Sequence, residues 1–302
     1  MSDIKKTKVL FAIDPSEPEL RPSSESLSWF NRWLKDRDAS IEAVYIFNNT
    51  HGVKPPSEVV FSDYVNTLNL GRSVDARVLV EKSSSRRKSV DALIRYTQTS
   101  EADVITVSSH GRSGPGRLVL GSFAESLLAG SSVPLLFLSE SAGFPKAAQK
   151  ILFPTDLSGA SLKALSLFLG QMKGYAGEIV LFHAVSPPGA IFDTGIMGVP
   201  VYLPESYWIE QRQWTEQESK RFMNLATERG FRARMVMQEG VLNTPLAIEK
   251  CASEESVEMI AMASVSRGLD RAVLGSVAKE IFRLRKWPVW VCGPETVFER
   301  NN

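Results

Sequence analysis

Between Ser108 and Ser122 the chain reads SSHGRSGPGRLVLGS, with glycines at Gly111, Gly114, Gly116 and Gly121. A phosphate is held by several backbone N–H groups in a concave loop, best at the start of a helix, and glycine lets a backbone curl that closely. His110, Arg112 and Arg117 add side-chain donors, and Ser122 can cap the next helix or offer a hydroxyl. The stretch follows the apolar run Val104–Val107 and precedes the helix-like run Phe123–Leu128. It lacks the Lys-Ser/Thr of a P-loop, because Arg117 and Leu118 follow Gly116, and it holds no GxGxxG. Two readings stay open on chemistry alone: a nucleotide or phosphate loop, or a plain strand-to-helix turn.

The elements around this loop occur twice. KVLFAIDPS from Lys8 resembles KILFPTDLS from Lys150, and RLVLGSFAESLL from Arg117 resembles RAVLGSVAKEIF from Arg271. SVPLLFLSE, ending at Glu140, resembles KWPVWVCGP, which begins at Lys286. Three matched segments in one order indicate a duplication. The copies lie 142 residues apart at Asp14 and Asp156 and 154 apart at Gly121 and Gly275, and a long loop from Ser186 to Glu205 absorbs the difference. The polar seam Ser139–Gln149 suggests domains at 1–143 and 144–302.

Within each copy, strand and helix patterns alternate. Strands are expected at 8–13, 41–47, 74–80, 103–108 and 133–138, then at 150–155, 178–185, 232–238, 257–263 and 288–292. Helices are expected at 22–38, 57–69, 89–100 and 122–129, then at 158–173, 205–229, 244–254 and 276–285. Continuous Val/Ile/Leu runs mean strands buried on both faces, hence mostly parallel sheets. The expected fold is α/β: two tandem three-layer α/β/α domains, each with a five-stranded sheet in the order 3-2-1-4-5. That order puts Asp14 and Ser108 at the carboxyl ends of neighbouring strands.

Composition bounds the rest. In 302 residues the net charge is +1, so no global field draws in nucleic acid or an anionic membrane. The apolar runs are too short to span a bilayer, and the start of the chain does not read as a signal peptide. Cys251 and Cys292 form no CxxC, which fits a reduced, cytoplasmic setting. His51, His110 and His183 are scattered, so neither a metal site nor a catalytic triad is expected. Lys82, Arg86, Arg87 and Lys88 precede a helix at the end of the third strand, as a solvated edge or as an anion contact. The aromatics Trp208, Trp214 and Phe222 fit an amphipathic helix packed on the sheet.

These features resemble the universal stress proteins in their tandem-domain form. The family's signature, a strand ending in Asp and G-x2-G-x9-G-(S/T) at the fourth strand, is matched by Asp14, Gly111, Gly121 and Ser122, with Ser108 in place of the first glycine. The resemblance implies ATP or a related adenine nucleotide, with or without Mg²⁺, bound in the N-terminal domain. It places the adenine at Asp14 and Ile46 and the phosphates at Gly111, Gly121 and Ser122, while the chemistry of the loop adds Ser108, His110, Arg112 and Gly114 as candidate contacts. It also implies that the two fifth strands pair, packing the domains as a pseudo-dimer, and it leaves room for a homodimer. In the second copy, counting back from Gly275 sets Val265 and Met262 where glycines are expected, so that loop reads as degenerate. No general base is recognisable, so at most slow ATP hydrolysis is expected of a stress-response or regulatory protein. A nucleotide-free scaffold and a small-molecule or phosphoryl-transfer enzyme remain the alternatives.

Overall fold

The computed structural model describes residues 6–16, 21–36, 38–49, 53–83, 85–108, 122–139, 149–172, 177–185, 205–264 and 275–297. In chain order the N-terminal half contains β1 (Lys8–Ala12), α1 (Ser24–Asp36), β2 (Ser40–Asn48), α2 (Glu58–Asn66), β3 (Asp75–Glu81), α3 (Arg86–Thr99), β4 (Val104–Ser108), α4 (Ser122–Gly130) and β5 (Leu135–Leu138). The C-terminal half repeats the series as β6 (Lys150–Pro154), α5 (Gly159–Gln171), β7 (Glu178–Val185), α6 (Glu205–Glu228), β8 (Arg232–Glu239), α7 (Thr244–Glu254), β9 (Met259–Ala263), α8 (Ser276–Leu284) and β10 (Val289–Cys292). A short α9 (Pro294–Val297) follows.

Local chemistry explains the starts of several helices. Ser57 accepts from the Val60 N–H, Ser158 from Ser161 and Asn243 from Leu246, each side chain satisfying an orphan donor of the first turn. Helix α1 buries Leu27, Phe30, Trp33 and Leu34 on one stripe, the i, i+3, i+4 spacing of a helix against a sheet. In α6, Phe222 is fully buried and Trp214 packs against the same core, as the amphipathic pattern suggested; the Trp208 side chain lies outside the described residues.

The strands form one ten-stranded sheet in the order β3-β2-β1-β4-β5-β10-β9-β6-β7-β8. Each half has the expected 3-2-1-4-5 order, and its internal pairs are parallel. Alternate residues serve opposite faces: Val9 and Phe11 belong to the cluster beneath α1, α2, α5 and α6, whereas Leu10 joins the cluster beneath α3, α4, α7 and α8. Both clusters draw residues from both halves, so the three layers run through the whole molecule.

The halves meet where β5 and β10 pair antiparallel, through Val289 with Phe137, Trp290 with Leu136 and Val291 with Leu135. Trp290 is fully buried and packs edge-on against Phe168 at 4.9 Å between centroids. Its indole N–H donates to Gln171 Oε1 at 2.9 Å, and Gln171 Nε2 donates to the Asp103 carbonyl at 2.7 Å. One side chain on α5 thus ties the junction strand to the entry of β4. Phe137 meets Phe282 of α8 at 4.6 Å, Thr296 Oγ1 donates to the Ser131 carbonyl at 3.1 Å, and Arg32 pairs with Glu258 at 3.3 Å.

Gly293 closes this junction by having no side chain: a Cβ there would stand 1.9 Å from the Leu128 carbonyl oxygen. The obstacle is backbone, which cannot swing aside as a flexible side chain can. Gly293→Ala is expected to cost roughly 1–3 kcal/mol through overpacking, read as a lower urea midpoint. Gly159→Ala is the control. Nothing lies within 4 Å of its added methyl group, and removing a helical glycine should be neutral or stabilising by up to about 1 kcal/mol. Equal midpoints for the two variants would refute a rigid junction.

Candidate functional site

In a parallel α/β sheet, ligands gather at the carboxyl ends of the strands, where strand order reverses. Each half has such a point, between β1 and β4 and between β6 and β9. Because β5 and β10 are antiparallel, the two crevices open at opposite ends of the merged sheet.

In the first crevice, Asp14 follows β1. Its Oδ1 accepts from the Ser16 backbone N–H at 2.9 Å and from Ser16 Oγ at 2.6 Å, a local turn that fixes the carboxylate. Ile46 lies in β2 beside Leu79 of β3, partly buried against the core. Ser108 ends β4 in register with Leu138. Burial raises the phenol pKa of Tyr45, and the Asp14 charge raises it further. Burial also raises Tyr64, with Arg21 opposing and Asp14 adding. Both tyrosines therefore feel the Asp14 carboxylate. The Tyr64 hydroxyl is buried without a hydrogen-bond partner. Sequence reading had passed over this pair, although Tyr45 adjoins Ile46 in β2.

Ser122 opens α4, and Arg86 Nη1 donates to its Oγ. The sequence pattern started the third helix at 89, whereas α3 begins at Arg86, so Arg86, Arg87 and Lys88 occupy its first turn. Cations there oppose the helix dipole, and Ser85 provides no side-chain cap. The guanidinium of Arg86 instead reaches across to the start of α4. The structure therefore brings Asp14, Ile46, Ser108, Ser122 and Arg86 to the same end of neighbouring elements. His110, Gly111, Arg112, Gly114 and Gly121 lie outside the described residues.

The second crevice contains a cavity of about 220 Å³ at the ends of β6, β7 and β9, among whose lining residues are Asp156, His183, Ala184, Thr244 and Ser264. Asp156 Oδ1 accepts from the Ser158 N–H at 3.0 Å, repeating the turn at Asp14. Strand pairing corrects the alignment of the copies. Val104 pairs with Val9 and Met259 with Ile151, which places Ala263, not Met262, at the position of Ser108. The segment between β9 and α8 is one residue shorter than that between β4 and α4, so counting back from Gly275 shifts the strand by one. The loop residue Val265 itself lies outside the described residues.

The sequence model of the universal stress protein family matches residues 6–139 and 147–293. The chain belongs to the universal stress protein family. A universal stress protein of Methanocaldococcus jannaschii is 26% identical over 148 residues, covering 47% of this chain and 81% of that protein. A functionally unknown protein from Pseudomonas aeruginosa PAO1 has a TM-score of 0.65 at 15% identity, over 97% of this chain and 95% of the other. A universal stress protein from Archaeoglobus fulgidus DSM 4304 has a TM-score of 0.64 at 18% identity, over 96% and 97%. At these identities the two solved structures speak to the fold.

Among the described residues no helix is long and apolar enough to cross a membrane, and no group of three or more His, Cys, Asp or Glu could hold a metal ion. Both cysteines are buried. Burial first, then Glu255, pushes the Cys251 thiol up to about 11, and burial raises Cys292 well above its ordinary value. Neither is poised as a nucleophile at neutral pH. A thiol raised by folding contributes stability that is complete below its unfolded pKa and is lost as pH climbs through the folded one. For Cys251 that loss should run from about pH 8.5 to about 11. The Cys251→Ala variant should show a shallower decline of the urea midpoint over that window, and a maleimide should label the native protein only slowly at neutral pH.

Proposed function

We propose that this universal stress protein binds ATP or a related adenine nucleotide in its N-terminal half and acts in regulation or stress response rather than as a fast enzyme. The family membership and the glycine-rich loop support the reading. The observation that carries it is the contact between Arg86 and Ser122, which sets a guanidinium at the amino end of α4. A helix start and an arginine together suit phosphate oxygens. Asp14, oriented by Ser16, would accept a hydrogen bond from the base, Ile46 would pack on it, and Gly121 and Ser122 would contact the phosphates. Mg²⁺ would add charge neutralisation there. A cytoplasmic setting and domains divided at 143 and 144 belong to the same reading.

Denaturing the purified protein should release adenine nucleotide, detectable by chromatography. Calorimetry should show saturable ATP binding that falls at least about tenfold in Arg86→Glu plus Arg87→Glu, the worth of one lost hydrogen bond to a charged group. Binding should vanish in Gly121→Val. No released nucleotide and no binding at millimolar ATP would overturn the reading in favour of a nucleotide-free scaffold.

A further inference from the structure

Hydroxyl side chains inside a helix usually donate back to the carbonyl four residues earlier. In α6, Thr215 Oγ1 does so to Gln211 at 2.8 Å and Thr227 Oγ1 to Met223 at 3.1 Å. Ser219, on the same helix, does not. Its Oγ donates across to Met237 Sδ on β8 at 3.9 Å. Ser219 is 5% exposed, and a thioether sulfur is a weak acceptor. A buried donor matched to so weak a partner is under-satisfied, which costs free energy.

The acceptor is itself unusual. Met237 lies on the last strand of the ten-stranded sheet and is 47% exposed. It follows Ala233 and Met235 on the face that α6 covers. Among the other described methionines, Met172, Met259 and Met262 are buried, and Met223 and Met235 are partly buried against the core. Peroxide reaches a thioether through solvent, so a buried sulfur waits for the fold to open. Met237 needs no opening. In a core the added oxygen would be an unmatched polar atom. At Met237 the flexible side chain lets the new oxygen swing to Ser219 Oγ. Oxidation there supplies the full acceptor that the buried hydroxyl lacks.

We propose that Met237 is a reversible oxidation site whose sulfoxide is held by Ser219, so that a peroxide tightens α6 on β8 instead of loosening it. A sulfur lone pair attacks one peroxide oxygen and the O–O bond breaks. The departing hydroxide takes the proton of the transferred oxygen and leaves as water. Sulfur loses two electrons and the peroxide gains them. A dithiol-dependent sulfoxide reductase reverses the step, and two thiols become a disulfide as the oxygen leaves as water. The site lies on the outer edge of the second half and does not depend on nucleotide binding in the first.

The test treats the full chain with limiting hydrogen peroxide and maps the products by peptide mass spectrometry. Met197, outside the described residues, is first replaced by leucine so that its oxidation does not contribute. Met237 should be oxidised at least about tenfold faster than Met172, Met259 and Met262, and ahead of Met223 and Met235. Amide hydrogen exchange in β8 and in α6 around Ser219 should then slow about fivefold, the worth of one ordinary hydrogen bond. A sulfoxide reductase should restore the original rates. In Ser219→Ala the same oxidation should leave these amides unchanged or faster. Met237→Leu should keep the thermal midpoint near that of the parent and make the amides blind to peroxide. Earlier oxidation of Met223 or Met235, faster exchange on oxidising the parent, or an equal slowing in Ser219→Ala would each overturn the proposal.

Discussion

Two apolar edge strands that cannot be left facing water govern this molecule. In β5 the residues Leu135 to Leu138 are all buried, and so are Val289 to Cys292 in β10. A sheet in the order 3-2-1-4-5 leaves its fifth strand without a second neighbour, and an exposed strand so apolar would template aggregation. Pairing the two edges satisfies both, and the hydrophobic clusters continue across the join. Three residue pairs suffice because helices support them from both faces: Phe168 against Trp290, Phe282 against Phe137 and Leu128 against Gly293.

That junction separates the duties of the residues. Positions along the strands are held by burial on two faces and by ladder hydrogen bonds, so the halves keep the same strand order and the same Asp-to-Ser turn after the first strand. At the carboxyl ends of the strands and the helix starts beside them the copies diverge: Tyr45 against His183, Ile46 against Ala184, Arg86 against Thr244. The antiparallel join turns the mouths to opposite ends of the sheet, so each can change its electrostatics without disturbing the other. Coulomb interactions between charges separated by a protein layer and solvent are largely screened.

The elements themselves were legible because their signals are local and strong. Helix α7 falls at 244–254 and β7 at 178–185, as their periodicity and caps foretell. Other ends moved by one to three residues, as at α3, where Arg86 joins the helix despite its charge. The four-residue α9 is too short for a periodic signal. The alignment of the two loops slipped by one because counting from a glycine assumes equal loop lengths, whereas the ladder partners of β9 set the register independently.

By itself the sequence determined the duplication, the alternation of strands and helices, the family resemblance and the placing of Asp14 and Ser122 at element ends, since all of these rest on spacing along the chain. Only the tertiary structure decided which edges pair, that Arg86 reaches Ser122 from 36 residues away, that Gly293 must stay bare, and that a cavity persists in the second half with a carboxylate and no lysine or arginine among its described lining. The physical reason is that charge, desolvation and steric room belong to neighbours in space. Those neighbours are chosen when helices dock on the sheet, a step that no periodicity encodes.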